Sequence, residues 1–188
     1  SSAVEVVELL KKREISPTEA VRASIARMEA VDGTLNALPM KCTERALARA
    51  AEIEAGKIPI ADPERWLGGL PIAIKDLNPV AGVTTTYGSR IYADHVPEQS
   101  DVLVENAEAS GAVVMAKSNT PEFGAGASTF NEVYGRTCNP WDTTKSVAGS
   151  SGGSAAALAS GQVWLAHGSD LGGSLRTPAS FNGVVGLR

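Results

Sequence analysis

Two clusters of glycine and serine near the carboxyl end of the sequence hold its strongest candidates for chemistry. The first, residues 149–154 (GSSGGS), leads into alanines, and the second, residues 169–174 (SDLGGS), follows a short apolar run. Glycines let consecutive backbone amides point into one space, where they can hold an anion. Ser174 beside such amides has the layout of a nucleophile with an oxyanion hole. The alternative interpretation of the first cluster is a flexible connector. The alternative for the second is a tight turn with a capping serine.

A serine nucleophile needs a base, and two candidates follow predicted strands. His167 and Asp170 lie close to Ser174 in sequence, but side chains around one strand end alternate in direction and rarely converge on one hydroxyl. We therefore interpret His167 as an ordinary, hydrogen-bonded side chain at a strand end. Lys75 ends an apolar run, where burial would lower the pKa of its amine so that it could act as a neutral base. An ordinary ion pair of Lys75 with Asp76 or with another carboxylate is the alternative.

Neither glycine cluster has the spacing of a nucleotide-binding loop. No lysine follows the glycines in the GK[ST] order of a P-loop, and the GxGxxG order of dinucleotide-binding folds is absent. The chain has only two histidines, His95 and His167, and its two cysteines, Cys42 and Cys138, lie far apart. Because metal centres need several such ligands together, we expect neither a metal nor a cofactor.

Composition and charge exclude several kinds of partner. The formal net charge is −4 and 43% of the residues are hydrophobic, which is typical of a globular protein without a basic surface for nucleic acid. No apolar segment reaches the roughly 18 to 20 residues that cross a bilayer, and the amino terminus lacks the order of a signal peptide. Two cysteines without paired spacing fit a reducing compartment. We therefore expect a cytoplasmic protein that binds neither nucleic acid nor membrane.

The amino-terminal part of the sequence predicts helices that serve packing. Residues 16–19 (SPTE) combine a capping serine, a proline suited to the first helical position and the glutamate of a capping box, so a helix begins there. Gly33 is expected to end this helix in the left-handed conformation. A short helix around residues 6–10 precedes it, and another is predicted over residues 43–55, ended by Gly56.

Beyond the proline-containing loop at residues 59–63, short apolar runs alternate with helical stretches, which is the pattern of an α/β fold. Helices are predicted over residues 100–110 and 154–160. Strands are predicted over residues 70–75, 112–117 and 163–166, with the start of another at 184–187.

Five segments together resemble the amidase signature family of amide hydrolases. They are PIAIKDL (71–77), AGVTTTYGS (81–89), KSNTPEFG (117–124), GSSGGSAAALASG (149–161) and GSDLGGSLRTPASFNGVVGL (168–187). The resemblance covers the chain from about residue 68 to its end. Within the family, the NPW stretch at residues 139–141 is similar to one in nylon-oligomer hydrolases, bacterial amidases that act on linear or cyclic amides.

The resemblance implies a Ser-cisSer-Lys triad with Ser174 as nucleophile, Ser150 as bridging serine and Lys75 as base. The peptide between Gly149 and Ser150 is then expected to be cis. The oxyanion hole is implied at the backbone amides of Leu171, Gly172, Gly173 and Ser174. Positions that resemble loop-holding residues of the family, with no chemical step of their own, are Asn119, Ser151, Asp170 and Arg176.

The resemblance also implies a fold and a domain organisation. We expect a mixed sheet between helical layers, preceded by amino-terminal helices. Residues 1–188 are expected to form the amino-terminal part of one amidase signature domain, with a mostly helical lead-in over 1–67 and the signature core over 68–188. Family members are more than twice as long, and their later residues complete the substrate pocket.

Three functional hypotheses follow. The leading one is hydrolysis of a small-molecule amide through an acyl-serine intermediate, and the sequence leaves a homodimer open. The second is the glutaminase subunit of a tRNA-dependent amidotransferase, which has the same triad but works with partner chains. The third is an inactive fragment or scaffold that retains the signature loops without a finished pocket.

Overall fold

The computed structural model describes all 188 residues of the chain, which form six α-helices and six strands. In chain order these elements are α1 (Ala3–Lys11), α2 (Pro17–Leu35), β1 (Met40–Lys41), α3 (Thr43–Glu54), β2 (Pro71–Lys75), α4 (Val102–Ala109), β3 (Val113–Ser118), β4 (Phe130–Asn131), β5 (Gly135–Arg136), α5 (Gly152–Ala159), β6 (Leu165–Ala166) and α6 (Arg176–Asn182).

A four-stranded mixed sheet lies at the centre, in the order β1-β3-β2-β6. Strand β2 is parallel to both β3 and β6, and β1 is antiparallel to β3. Strands β4 and β5 pair only with each other. Strands are therefore present within or near the predicted ranges 70–75, 112–117 and 163–166. The two-residue strand β1 was not predicted, because it is too short to show an alternating pattern.

Helices cover both faces of this sheet, because alternate side chains of a strand point to opposite faces. On one face, Ala73 and Met115 pack with residues of α2, α3 and α5. On the other face, Ile72, Ile74 and Val114 pack with residues of α1 and α4. Each fully buried Ile, Val or Met stabilises the fold by about 1.5–3 kcal/mol. The mixed sheet between helical layers that the resemblance implied is confirmed.

Helices α2 and α3 begin where the sequence predicted, whereas α1 begins at Ala3, before the predicted residues 6–10, and α2 ends later than predicted. Ser16 and Glu19 form the predicted capping box, with the Glu19 amide 3.1 Å from Ser16 Oγ and the Ser16 amide 2.7 Å from Glu19 Oε2. The prediction that Gly33 ends α2 was wrong, because the helix continues to Leu35 and Asn36 adopts the left-handed conformation at φ 51°. The buried Asp32 carboxylate accepts the next amides, which favours this later exit.

The prediction of a strand at residues 184–187 is also wrong, and the helix α6 just before it was not predicted. The Val184 amide donates to Ala179 O at 3.0 Å, so the chain turns back on the end of α6 rather than extending along the sheet. In the sequence, Pro178 argues against a helix at this position. In the structure it lies in the first turn of α6, where a proline displaces no helical hydrogen bond. None of the helices combines the length and the hydropathy that a bilayer crossing requires.

Candidate active site

The carboxyl ends of β2 and β6 meet the amino end of α5 at one edge of the sheet. Lys75 is the last residue of β2, and Ser150 and Ser151 immediately precede α5. Ser169 follows the end of β6 by three residues. Because β2 and β6 are parallel, their carboxyl ends open in the same direction. The fold thereby joins hydroxyl and amine groups that are 75 or more positions apart in the sequence.

The Lys75 amine is fully buried and has three serine hydroxyls as neighbours. Its Nζ lies 2.6 Å from Ser150 Oγ, 2.9 Å from Ser151 Oγ and 2.9 Å from Ser169 Oγ. No carboxylate forms a salt bridge with it. Two of the three residues that the sequence singled out for chemistry, Lys75 and Ser150, are thus in hydrogen-bond contact.

Burial controls the protonation of Lys75. Removal from water disfavours the ammonium form and lowers the pKa of the amine to about 8. The Asp170 carboxylate opposes this effect by favouring the charged form. At pH 7 a lysine of pKa about 8 is a neutral amine for roughly a tenth of the time, a hundred-fold or more above an exposed lysine.

The alternative interpretation of Lys75, an ion pair with Asp76, is wrong. The Asp76 carboxylate pairs instead with Lys117, whose Nζ lies 2.7 Å from Asp76 Oδ1, and both side chains are buried. The other carboxylate oxygen accepts from the amide and hydroxyl of Thr86 at 3.1 and 2.6 Å. The carboxylate of Asp76, the residue after β2, is thus held by Lys117 and Thr86 and not by the amine of Lys75.

Ser151 connects the start of α5 to the loop after β6. Its hydroxyl donates to Ser169 O at 3.2 Å and accepts from the Ser169 amide at 3.1 Å. The Ser151 amide donates to Ser174 O at 2.9 Å. This bond holds the backbone of Ser174 close to Ser151, the neighbour of Ser150 in the sequence. The Gly149–Ser150 peptide is cis, as the resemblance implied.

Gly153 lets α5 approach the end of β3. A Cβ at this position would collide with the backbone of Asn119 and of Ala37. The Gly153 amide donates to Asn119 O at 3.2 Å, and the Asn119 amide donates to Ala37 O at 2.9 Å. These contacts fit the loop-holding position that the resemblance implied for Asn119.

Asp170 organises the loop that carries Ser174. Its carboxylate accepts from the amides of Gly173 at 2.7 Å and of Leu175 and Arg176 at 3.2 Å each. The Arg176 guanidinium contacts both oxygens, with Nε at 2.9 Å. This guanidinium holds the pKa of the Asp170 carboxyl well below its usual range. The ionised Asp170 carboxylate is therefore the common hydrogen-bond acceptor of this loop.

The Ser174 hydroxyl makes no hydrogen bond and is half-buried. Of the four amides expected in an oxyanion hole, those of Leu171, Gly172 and Ser174 donate to no acceptor, whereas that of Gly173 is held by Asp170. The fold thus places the Ser174 backbone beside Ser151 without joining its hydroxyl to Lys75 or Ser150.

His167 directly follows β6, but the prediction that its side chain is hydrogen-bonded there is wrong for Nδ1. Its amide donates to Ala73 O at 2.8 Å, whereas its buried Nδ1 has no hydrogen-bond partner. Burial, with a smaller effect from Lys75, lowers the pKa of the imidazole to about 4. No hydrogen bond joins it to Ser174 or Asp170, so a histidine triad is not formed.

Ser169 is the residue of this site that sequence reasoning missed. Only its position three residues after a predicted strand and directly before Asp170 could have indicated it. A second unpredicted connection runs from Ser118 through Ser154 to His167 O, with distances of 2.6 and 2.7 Å, and it joins the ends of β3, α5 and β6.

Beside the serines lies a mostly apolar groove of about 520 Å³, between α5, β6 and residues 184–187. Ser151, His167 and Leu175 are among the residues that line it. The chain places no three His, Cys, Asp or Glu side chains together as ligands for a metal ion.

Comparisons with known proteins identify the family of this chain. The family model "Amidase" matches residues 19–188. The glutamyl-tRNA(Gln) amidotransferase A subunit of Anaeromyxobacter dehalogenans is 46% identical over 93% of the chain, and that of Heliobacterium modesticaldum is 43% identical over 100%. The chain spans 35% and 38% of the lengths of these two relatives.

Solved structures resemble the chain over nearly its whole length. A chain of a vestigial protein complex linked to the origins of an s-triazine catabolic enzyme has a TM-score of 0.88 at 40% identity, covering 95% of this chain and 39% of that one. The 6-aminohexanoate cyclic dimer hydrolase bound to its substrate has a TM-score of 0.86 at 34% identity, covering 96% and 36%. With the family model matched over nine-tenths of its residues, the chain belongs to the amidase family.

Proposed function

We propose that this chain carries the Ser-cisSer-Lys triad of an amide hydrolase, with Lys75 as base, Ser150 as bridge and Ser174 as nucleophile. The observation that carries the proposal is the buried Lys75 amine 2.6 Å from Ser150 Oγ, without a carboxylate partner. A lysine kept for structure normally has a counter-ion, as Lys117 has in Asp76. A lysine surrounded by hydroxyls is suited to exchange a proton with one of them.

The hydrogen-bond geometry supports a direction for that exchange. A neutral amine has two N–H groups and one lone pair, whereas Lys75 has three hydroxyl neighbours. Ser151 donates its own proton to Ser169 O, so it accepts from Lys75. Ser150 makes the shortest of the three contacts, and we assign its O–H to the lone pair and the two N–H groups to Ser151 and Ser169. The Ser150 oxygen is then free to take a proton from Ser174.

The proposed reaction has two halves. Ser174 Oγ forms a bond to the amide carbon while its proton passes to Ser150 and the proton of Ser150 passes to Lys75. The reverse transfer protonates the leaving nitrogen, the C–N bond breaks, and an acyl-Ser174 ester remains. Water, deprotonated through the same relay, then attacks this ester, and the acid leaves as Ser174 regains its proton.

Backbone amides of Leu171, Gly172, Gly173 and Ser174 are the proposed donors to the oxyanion of both halves. Three of them donate to no acceptor. The Gly173 amide would have to break its hydrogen bond to Asp170 before it could donate to the oxyanion. One donor of this kind is worth about 3 kcal/mol of barrier. The proposed hole would therefore use three amides that have no other acceptor and a fourth that now donates to Asp170.

The proposed substrate is a small linear or cyclic amide, in line with the 6-aminohexanoate cyclic dimer hydrolase among the structural neighbours. A second candidate is glutaminase activity within a tRNA-dependent amidotransferase, favoured by the 46% identity to one component of such an enzyme. The two differ in partners, since the second needs other subunits and the first does not. The free thiols Cys42 and Cys138 support a cytoplasmic location for either.

Labelling with a fluorophosphonate tests the proposal. We expect one label per chain, at Ser174, and none in Ser174→Ala. Release of ammonia from glutamine only in the presence of partner subunits would favour the amidotransferase, and turnover of simple amides by the isolated protein would favour the hydrolase. Absence of label from Ser174 would contradict both and would fit the inactive fragment.

A further inference from the structure

The last turn of α6 ends against side chains of the NPW stretch. A helix leaves its last carbonyls without helical partners, and no backbone amide donates to those of Phe181 and Asn182. Asn139 Nδ2 donates to Phe181 O at 3.1 Å, and Trp141 Nε1 donates to Asn182 O at 2.8 Å. The Trp141 ring is 73% exposed, so burial of the ring does not account for its position. Its distinctive contact is the hydrogen bond to α6.

The same side chains fix the segment that leads to Ser150. Asn139 Nδ2 also donates to Ser146 O at 3.1 Å. Asn182, which is fully buried, donates through Nδ2 to Val147 O at 3.0 Å, three residues before Ser150. The end of α6 and the approach to Ser150 are therefore one hydrogen-bonded unit.

The other end of α6 is continuous with the loop of Ser174. The amide of Thr177 donates to Gly173 O at 2.8 Å, and that of Ala179 donates to Leu175 O at 3.1 Å. Ser174 thus lies within the first turn that these bonds close. A displacement of α6 along its axis would move Ser174 with it.

We propose that Asn139, Trp141 and Asn182, which we name the α6 clamp, are positioning residues that set where Ser174 stands relative to Ser150. The clamp holds one end of α6 to the chain before Ser150, while the other end carries Ser174. The inference rests on the proposed function, because it assigns the clamp to the proton transfer between these two serines. Reacting groups displaced by about 1 Å lose on the order of 100-fold in rate.

Trp141→Phe tests the clamp, because it removes the indole N–H and keeps an aromatic ring at an exposed position. Trp66→Phe is the matched control, since the Trp66 indole makes no hydrogen bond. In the full chain, the rate of fluorophosphonate labelling at Ser174 is measured over a series of probe concentrations, which separates the maximal inactivation rate from the probe affinity. A second variant, Asn139→Leu, removes the other donor at similar volume.

We expect Trp141→Phe and Asn139→Leu to lower the maximal inactivation rate about 10- to 100-fold, with probe affinity within about twofold. Trp66→Phe should keep the rate of the unsubstituted chain. A merely structural role predicts fewer reactive molecules, each reacting at the original rate, and that result would overturn the inference, as would an unchanged rate in both clamp variants. Absence of labelling in the unsubstituted chain would overturn the proposed function and this inference with it.

Discussion

The two buried lysines of this chain differ in the kind of partner that each has. Lys117 faces the Asp76 carboxylate at 2.7 Å, whereas Lys75 faces only hydroxyls. A carboxylate stabilises the ammonium form strongly, and neutral hydroxyls do so much less. Burial therefore lowers the pKa of Lys75 to about 8, which makes a neutral amine accessible near physiological pH.

Ser169→Ala tests how hydroxyls orient that amine. We propose that Ser169 accepts one N–H of Lys75 and so helps to aim its lone pair at Ser150. Loss of the acceptor should slow labelling of Ser174 by about 10- to 100-fold, because a misdirected lone pair is a misplaced reacting group. Ser169→Thr keeps the hydroxyl and should stay within about threefold of the unsubstituted chain. Equal rates in the two variants would contradict the orienting role.

At the scale of elements, the loop between β6 and α6 takes its shape from one carboxylate. Asp170 accepts from three backbone amides of this loop as well as from the Arg176 side chain. The backbone contacts bind the loop to itself, whereas the ion pair joins the buried Asp170 carboxylate, 1% exposed, to an Arg176 side chain that is 55% exposed. Because water screens the exposed partner, we expect the ion pair to contribute less than the three amide contacts. The shape of the loop therefore depends on the amide contacts.

The comparison of Asp170→Asn with Arg176→Gln separates these two contributions. Asp170→Asn weakens all the amide contacts, so we expect labelling of Ser174 to fall by an order of magnitude or more and proteolysis within residues 169–175 to accelerate. Arg176→Gln leaves the amides in place and should change labelling by less than about threefold. If Arg176→Gln had the larger effect in labelling and proteolysis assays, the ion pair would be the main support of the loop.

At the scale of the whole molecule, local signals in the sequence predicted the elements well and the contacts between them poorly. The capping box at Ser16 and the apolar run ending at Lys75 each depend on neighbouring residues, and both predictions are confirmed. The exit of α2 at Asn36 depends on a buried carboxylate and on contacts with residues far along the chain. The local sequence pattern therefore predicts neither the end of α2 at Asn36 nor the contact between Ser169 and Lys75.

The resemblance to a family supplied what patterning could not. Proximity of Lys75 to Ser150 was implied by family motifs, and the structure brings the two together. The contact between the Ser174 hydroxyl and Ser150 remains a prediction, as do the chemical roles of all three residues. The division of the chain at residue 68 into a helical lead-in and a signature core also stays a prediction.

Burial of Lys75 predicts how the stability of the whole chain depends on pH. Because the pKa of Lys75 is about 8 in the folded chain and 10.5 as its ordinary value, the unfolded chain binds the proton more readily. The free energy of unfolding should therefore rise between about pH 8 and pH 10.5, by on the order of 3 kcal/mol from this group. Urea unfolding at both pH values measures the change.

Lys75→Met is the control for this measurement, because it keeps most of the apolar stem without the titrating amine. Other groups titrate in the same range in both proteins, so the difference between the two pH dependences isolates Lys75. The stability of Lys75→Met should rise less between pH 8 and pH 10.5. Identical pH dependences would mean that the folded chain does not disfavour the ammonium form of Lys75.

The pH dependence of the labelling rate at Ser174 tests the central claim, that Lys75 activates Ser174 through Ser150. We expect a rate that falls as the pH is lowered through about 8, because Lys75 becomes protonated. Lys75→Met and Ser150→Ala should lose this pH dependence and several orders of magnitude in rate, whereas His167→Ala should keep the pH dependence and the rate of the unsubstituted chain. If the acidic limb were unchanged in Lys75→Met or lost in His167→Ala, Lys75 would not be the base.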